Sequence, residues 1–235
     1  MKQRLLFYAL LFFLSVQLTA CQQELGPYKE VTQTYPLANF DRLDMGSAFH
    51  IDVRSGSSFE VAVRGNEADV NDLDLRVRNG TLHAEYRGTS RRKRYDMYVT
   101  VTMPTLREIN LSGAAQSTVT GFTSSSVVNA SLSGASNVTI NLAGSRLTSE
   151  LSGASTIHVV GTSDGLASNL SGASKLDAFD CLAKQAQLDL SGASTARVRV
   201  QEELTVKASG ASTVRYQGSP QTHIELSGSS TAAKE

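Results

Sequence analysis

Seven times between residues 111 and 230 the chain returns to one pentapeptide, and this recurrence limits the fold more than any other feature. It reads Leu111-Ser112-Gly113-Ala114-Ala115, then LSGAS from Leu132, Leu151, Leu170 and Leu190, ASGAS from Ala208 and LSGSS from Leu226. Successive starts lie 21, 19, 19, 20, 18 and 18 residues apart. A period near twenty is the spacing of stacked solenoid coils, each of which buries its apolar face only against its neighbours. Leucine-rich repeats share the period. They need several leucines at fixed offsets and an Asn or Cys in each unit, and these repeats have neither.

Period-2 alternation decides for strands. Before the pentapeptides, alternate residues are apolar or small, as in Val128, Ala130, Leu132 and in Ala186, Leu188, Leu190. After them a second alternating pair follows, such as Val138 and Ile140 or Ile157 and Val159. Two strands per coil therefore face one core. Between them stand turn groups such as Gly161-Thr162-Ser163-Asp164-Gly165 and Gly218-Ser219-Pro220, which exclude long helices. The expected fold is all-β: a single-stranded, parallel β-solenoid with coils of 18 to 21 residues.

Stacking at the ~4.8 Å spacing of neighbouring strands sets like on like. Gly113, Gly134, Gly153, Gly172, Gly192, Gly210 and Gly228 then form one column at a corner, where positive φ or a close backbone approach excludes a Cβ. Because successive strand residues alternate sides, an inward leucine makes the next serine point outward. Ser133, Ser152, Ser171 and Ser191 are thus expected as a solvent-facing row, and they are the candidate binding ladder.

Residues 37–110 are strand-rich but lack the pentapeptide, with alternation in Phe49 to Val53, Phe59 to Val63 and Tyr98 to Val101. Asn79-Gly80 between two alternating runs signals a two-residue hairpin turn. This stretch reads as irregular first coils, and residues 111–235 as the regular ones.

The first twenty residues read as an export signal, with Lys2 and Arg4 ahead of the apolar run Leu5 to Val16. That run is shorter than the ~20 residues a spanning helix needs. Leu18-Thr19-Ala20-Cys21 resembles the lipobox of bacterial lipoproteins, which makes Cys21 the expected lipidation site and membrane anchor, and residues 21–36 a tether. Gln22 follows where an inner-membrane retention signal carries Asp, which favours the outer membrane and leaves its face open. Cys181 is the only other cysteine, so with Cys21 acylated no intramolecular disulfide is expected.

Removal of residues 1–20 leaves 20 basic against 22 acidic residues, a balance without a nucleic-acid footprint. The run Arg91-Arg92-Lys93-Arg94 reads as a solvated loop. Gly-x-Ser recurs in six of the seven pentapeptides, but the second glycine of a nucleophile elbow is missing. Six equivalent serines also cannot each own a base when the chain has four histidines. His50, His83, His158 and His223 share no metal-ligand spacing, and Asp164, Asp177, Asp180 and Asp189 stand at different offsets in their repeats. No catalytic residue, metal site or cofactor is expected, and Cys181 reads as a small buried apolar residue.

Three stretches carry a family resemblance: Phe40-Asp41-Arg42-Leu43-Asp44, Val77-Arg78-Asn79-Gly80-Thr81-Leu82, and Met103-Pro104-Thr105-Leu106-Arg107-Glu108-Ile109 leading into the LSGAS series. With them the chain resembles the head GIN domain family, known as putative auto-transporter adhesins and common in lipoproteins of Bacteroidota, over nearly all of the mature part. The resemblance implies a right-handed parallel β-helix, and it offers no catalytic residues to carry over. Three function classes remain: a lipid-anchored binding or adhesion module for a glycan or protein, a structural envelope element that forms homo-oligomers, and a β-helix carbohydrate-active enzyme.

Overall fold

The computed structural model describes residues 25–88, 93–123 and 127–235. Among these the chain forms β1 (Glu30–Tyr35), β2 (Arg42–Met45), β3 (Phe49–Ser55), β4 (Glu60–Asn66), the short helix α1 (Glu67–Asn71), β5 (Leu73–Arg78), β6 (Thr81–Tyr86) and β7 (Met97–Met103). There follow β8 (Glu108–Leu111), β9 (Gln116–Thr120), β10 (Val127–Leu132), β11 (Asn137–Leu151), β12 (Thr156–Leu170), β13 (Lys175–Leu190), β14 (Thr195–Ala208), β15 (Thr213–Gly218), β16 (Gln221–Leu226) and β17 (Thr231–Lys234). They make a β-solenoid of about seven turns.

Each coil has two faces joined at the pentapeptide. One carries strands that enter the corner, in the order β8, β10, then the second halves of β11 to β14, then β16. The other carries strands that leave it: β9, the first halves of β11 to β14, β15 and β17. All these pairings are parallel; register shifts in β11 to β14 are confined to the stretch between the two faces, and the strands that enter the corner pair in register. Met45, Leu111, Leu132, Leu151, Leu170, Leu190, Ala208 and Leu226 consequently stack as one ladder. Its members from Met45 to Ala208 are buried, and a buried leucine contributes ~1.5–3 kcal/mol relative to an exposed one.

The first coils run out of chain order. The coil of β2 and β3 lies between that of β6 and β7 on one side and that of β8 and β9 on the other. After β3 the chain moves outward to build a cap, then crosses back to begin β8. The cap comprises the β5–β6 hairpin, turned by Asn79 (φ 52°) and Gly80 (φ 76°), together with β4 antiparallel to β7, β1 antiparallel to β4, and α1. Val70 of α1 and Leu73 are buried at this end.

Two expectations are corrected here. The segment expected as a tether carries β1, because β4 would otherwise leave an open edge and Val31 and Tyr35 pack against the core. The basic run is not all solvated: Arg94 turns inward to Asp69 (3.4 Å) and Asp72 (2.5 Å) and lies over the Tyr86 ring. Arg91 and Arg92 lie outside the described residues, as do residues 1–20 and Cys21.

Candidate binding groove

The corner is built from the pentapeptide's own chemistry. In Leu132-Ser133-Gly134-Ala135-Ser136 the leucine points inward and Ser133, Gly134 and Ala135 are exposed. Gly134 has φ 74°, and the buried Ser136 hydroxyl donates to the Ser133 carbonyl at 2.8 Å. The same closing bond recurs from Ser155 to Ser152 (2.9 Å), Ser194 to Ser191 (2.8 Å) and Ser212 to Ser209 (2.8 Å). Backbone bonds tie each corner to the one before. Ala135 N–H donates to Gly113 O at 2.7 Å, and Ala154 N–H to Gly134 O at 2.7 Å. All seven pentapeptide glycines have φ between 69° and 74°.

The outward serines sit at the rim of this corner. Ser133, Ser152, Ser171 and Ser191 are all exposed. The last three have hydroxyls 3.3–3.4 Å from the leucine carbonyl of the preceding coil. Each of those carbonyls already accepts a backbone N–H at 2.9 Å, and those of Leu132 and Leu151 also lie 3.4–3.5 Å from the buried Ser155 and Ser174 hydroxyls, so the outward hydroxyl's contact is weaker than the backbone bond.

Beside this row runs a second that reading by composition did not isolate. The residue before each ladder position also points outward, and in-register pairing aligns Asp44, Asn110, Ser131, Glu150, Asn169 and Asp189. Between the two rows lies a groove of about 540 Å³ that crosses the coils from Asp44 to Ser191, with the ladder leucines as its floor. Three of its lining residues are carboxylates and none is basic. The signal lay in the sequence at a fixed offset, one residue ahead of each leucine. It was hidden because that position holds Asp, Asn, Ser and Glu in turn. Lys207 and Glu225 continue the row beyond the groove.

The remaining candidate chemistry stays dispersed. His50, His83, His158 and His223 stand 3.9, 3.0, 3.6 and 3.1 Å from Asp96, Asp44, Asp180 and Glu225. Among the described residues no three metal-ligating side chains gather at one point. Asp177 is held by Lys175 and Arg197, and Asp164 by Lys184. Cys181 is fully buried, and burial pushes its thiol up to about 11.

Residues 39–220 match the family model described as "Putative auto-transporter adhesin, head GIN domain". No curated protein matches the sequence. Among solved structures the chain is similar to a putative adhesin from Bacteroides fragilis, at 19% identity and TM-score 0.76, over 88% of this chain and 96% of that one. It is similar to a putative lipid binding protein from Parabacteroides distasonis at 17% identity and TM-score 0.70, over 88% and 96%. A putative adhesin from the same species matches at 15% and 0.68, over 89% and 98%. At these identities the likeness is one of fold.

Proposed function

The chain belongs to the head GIN domain family of putative auto-transporter adhesins, and from that premise we propose that it is a non-enzymatic binding module of the cell envelope, held at the outer membrane through a lipid on Cys21. The groove beside the serine row is its contact surface. The observation that carries this reading is the continuity of hydroxyl and carboxylate or amide rows across successive coils. Groups repeated at the ~4.8 Å strand spacing fit an extended, repetitive partner such as a glycan strand, to which many weak contacts add. The acidic lining selects against polyanions and for neutral or amine-bearing chains.

The test compares the parent chain with two variants on immobilised neutral, amino and acidic oligosaccharides. Ser152→Lys alone is expected to keep most binding. Ser133, Ser152, Ser171 and Ser191 all changed to Lys are expected to lose it with a β-rich circular dichroism spectrum retained. A folded quadruple variant that binds as the parent does moves the contact to another face. One that fails to fold assigns the hydroxyls to the corner instead.

A second reading, self-association, is favoured by one observation. Leu226 on β16 is 45% exposed although it continues the buried ladder. A concentration-dependent mass in sedimentation that Leu226→Ser abolishes supports it.

A further inference from the structure

The capped end of the solenoid carries an apolar and aromatic patch that the groove does not use. Among the described residues five large apolar side chains are exposed, and three of them, Leu25 (43%), Tyr28 (50%) and Tyr98 (37%), belong to this end. They are held in place. Tyr28 meets the Tyr95 ring edge-on at 4.9 Å, the Tyr95 hydroxyl donates to the Gly26 carbonyl at 2.6 Å, and Arg64 covers the Tyr98 ring at 4.2 Å. The Tyr28 hydroxyl donates to Glu30 at 2.8 Å, Arg64 joins the same carboxylate at 3.0 Å, and the neighbouring Lys29 pairs with Glu67 at 2.7 Å. Tyrosines beside an apolar residue, with the charges around them paired, suit a membrane–water interface, where the ring body is apolar and the hydroxyl stays wet.

Chain length says what covers the patch. Only four residues' reach separates Cys21 from Leu25, which limits their separation to about 14 Å even when fully extended. A lipid on Cys21 places that residue at the boundary of the acyl chains, and the headgroup layer is itself roughly 5–8 Å thick. Leu25 is then held in that layer or just above it, and the capped end faces the bilayer.

We propose that the patch of Leu25 and Tyr28 docks the capped end of the solenoid onto the membrane surface, so that the coils stack away from the bilayer and the groove runs outward. This rests on the lipidation of Cys21 proposed above, and the test separates the two.

The chain contains no tryptophan, so one introduced residue reports alone. Leu25→Trp, Tyr28→Trp and, on the exposed strand position of a distant coil, Arg215→Trp are each made in the full chain, exported and purified from membranes. Each is placed in vesicles of phosphatidylethanolamine and phosphatidylglycerol doped with brominated phosphatidylcholine. The expected result is loss of emission in Leu25→Trp and Tyr28→Trp and none in Arg215→Trp. The mass of the N-terminal fragment reads acylation separately. Acylated Cys21 with unquenched emission in both patch variants overturns the docking and leaves the anchor standing. An unmodified Cys21 removes the length constraint and overturns both.

Discussion

Ser47 stands in the left-handed backbone conformation (φ 66°) directly beside Gly113, and its carbonyl oxygen accepts the Ala114 N–H at 2.8 Å. It is the first member of the corner column, the place that glycine fills in every later coil. A Cβ on Gly113 would lie 2.8 Å from Ser47 O, and one on Gly134 only 2.5 Å from Gly113 O. In this column a Cβ points at the carbonyl of the preceding corner, and Ser47 has no pentapeptide corner before it. The side chain is thus tolerated only at the start of the column.

The consequence is an asymmetry between two substitutions. Gly153→Ala puts a Cβ 2.5 Å from Gly134 O at φ 72°, and it is expected to cost at least ~1–3 kcal/mol. Ser47→Gly relieves a left-handed non-glycine residue and is expected to be neutral or to stabilise by up to ~1 kcal/mol. Denaturant unfolding of both variants checks the pair, and equal losses would contradict the column argument.

Along the leucine ladder, cost should follow burial. Leu151 is 2% exposed and Leu226 45%. Leu151→Ala is expected to lose ~2–5 kcal/mol, the usual range for a core leucine, and Leu226→Ala much less. Their melting temperatures, measured side by side, test whether stability accumulates coil by coil.

At the cap, Asp69 is 1% exposed and accepts hydrogen bonds from Arg94 and from the Tyr95 N–H (3.1 Å). Asp69→Ala leaves the largely buried Arg94 cation with Asp72 and the Tyr86 ring, and a loss of ~3–5 kcal/mol is expected. Limited proteolysis near residues 87–96 should accelerate in the same variant.

Cys181 links stability to alkaline pH. Its thiol is pushed from 9.0 to about 11 by burial, so the fold favours the neutral form. That contribution is fully present below pH 9 and is lost as the pH rises toward 11. The melting temperature is expected to fall over this window, and Cys181→Ala should flatten part of the fall. Tyr35, also raised by burial, keeps some slope in the variant. An identical slope with and without the thiol would exclude this coupling.

The regular coils were legible because every instruction in them is local and repeated. Leucine, serine, glycine and the closing serine each act within five residues, and the ~20-residue period stacks them without further information. From that follow the inward leucines, the corner glycines and the exposure of Ser133, Ser152, Ser171 and Ser191. The polar row from Asp44 to Asp189 was harder to read, because only the register between strands turns six residues of four kinds into one line.

What the sequence by itself determined is therefore the repeating corner, the two-strand coil and the direction each side chain takes along it. Tertiary structure decided the order of the first coils, the strand at Glu30–Tyr35, the inward turn of Arg94 and the one serine allowed in a glycine column. The reason is physical. Alternation and turn chemistry act over a few residues, whereas the choice of partner for β2, β3 or β4 depends on which unpaired edges and apolar faces the rest of the chain leaves open. Local pattern carries no record of that.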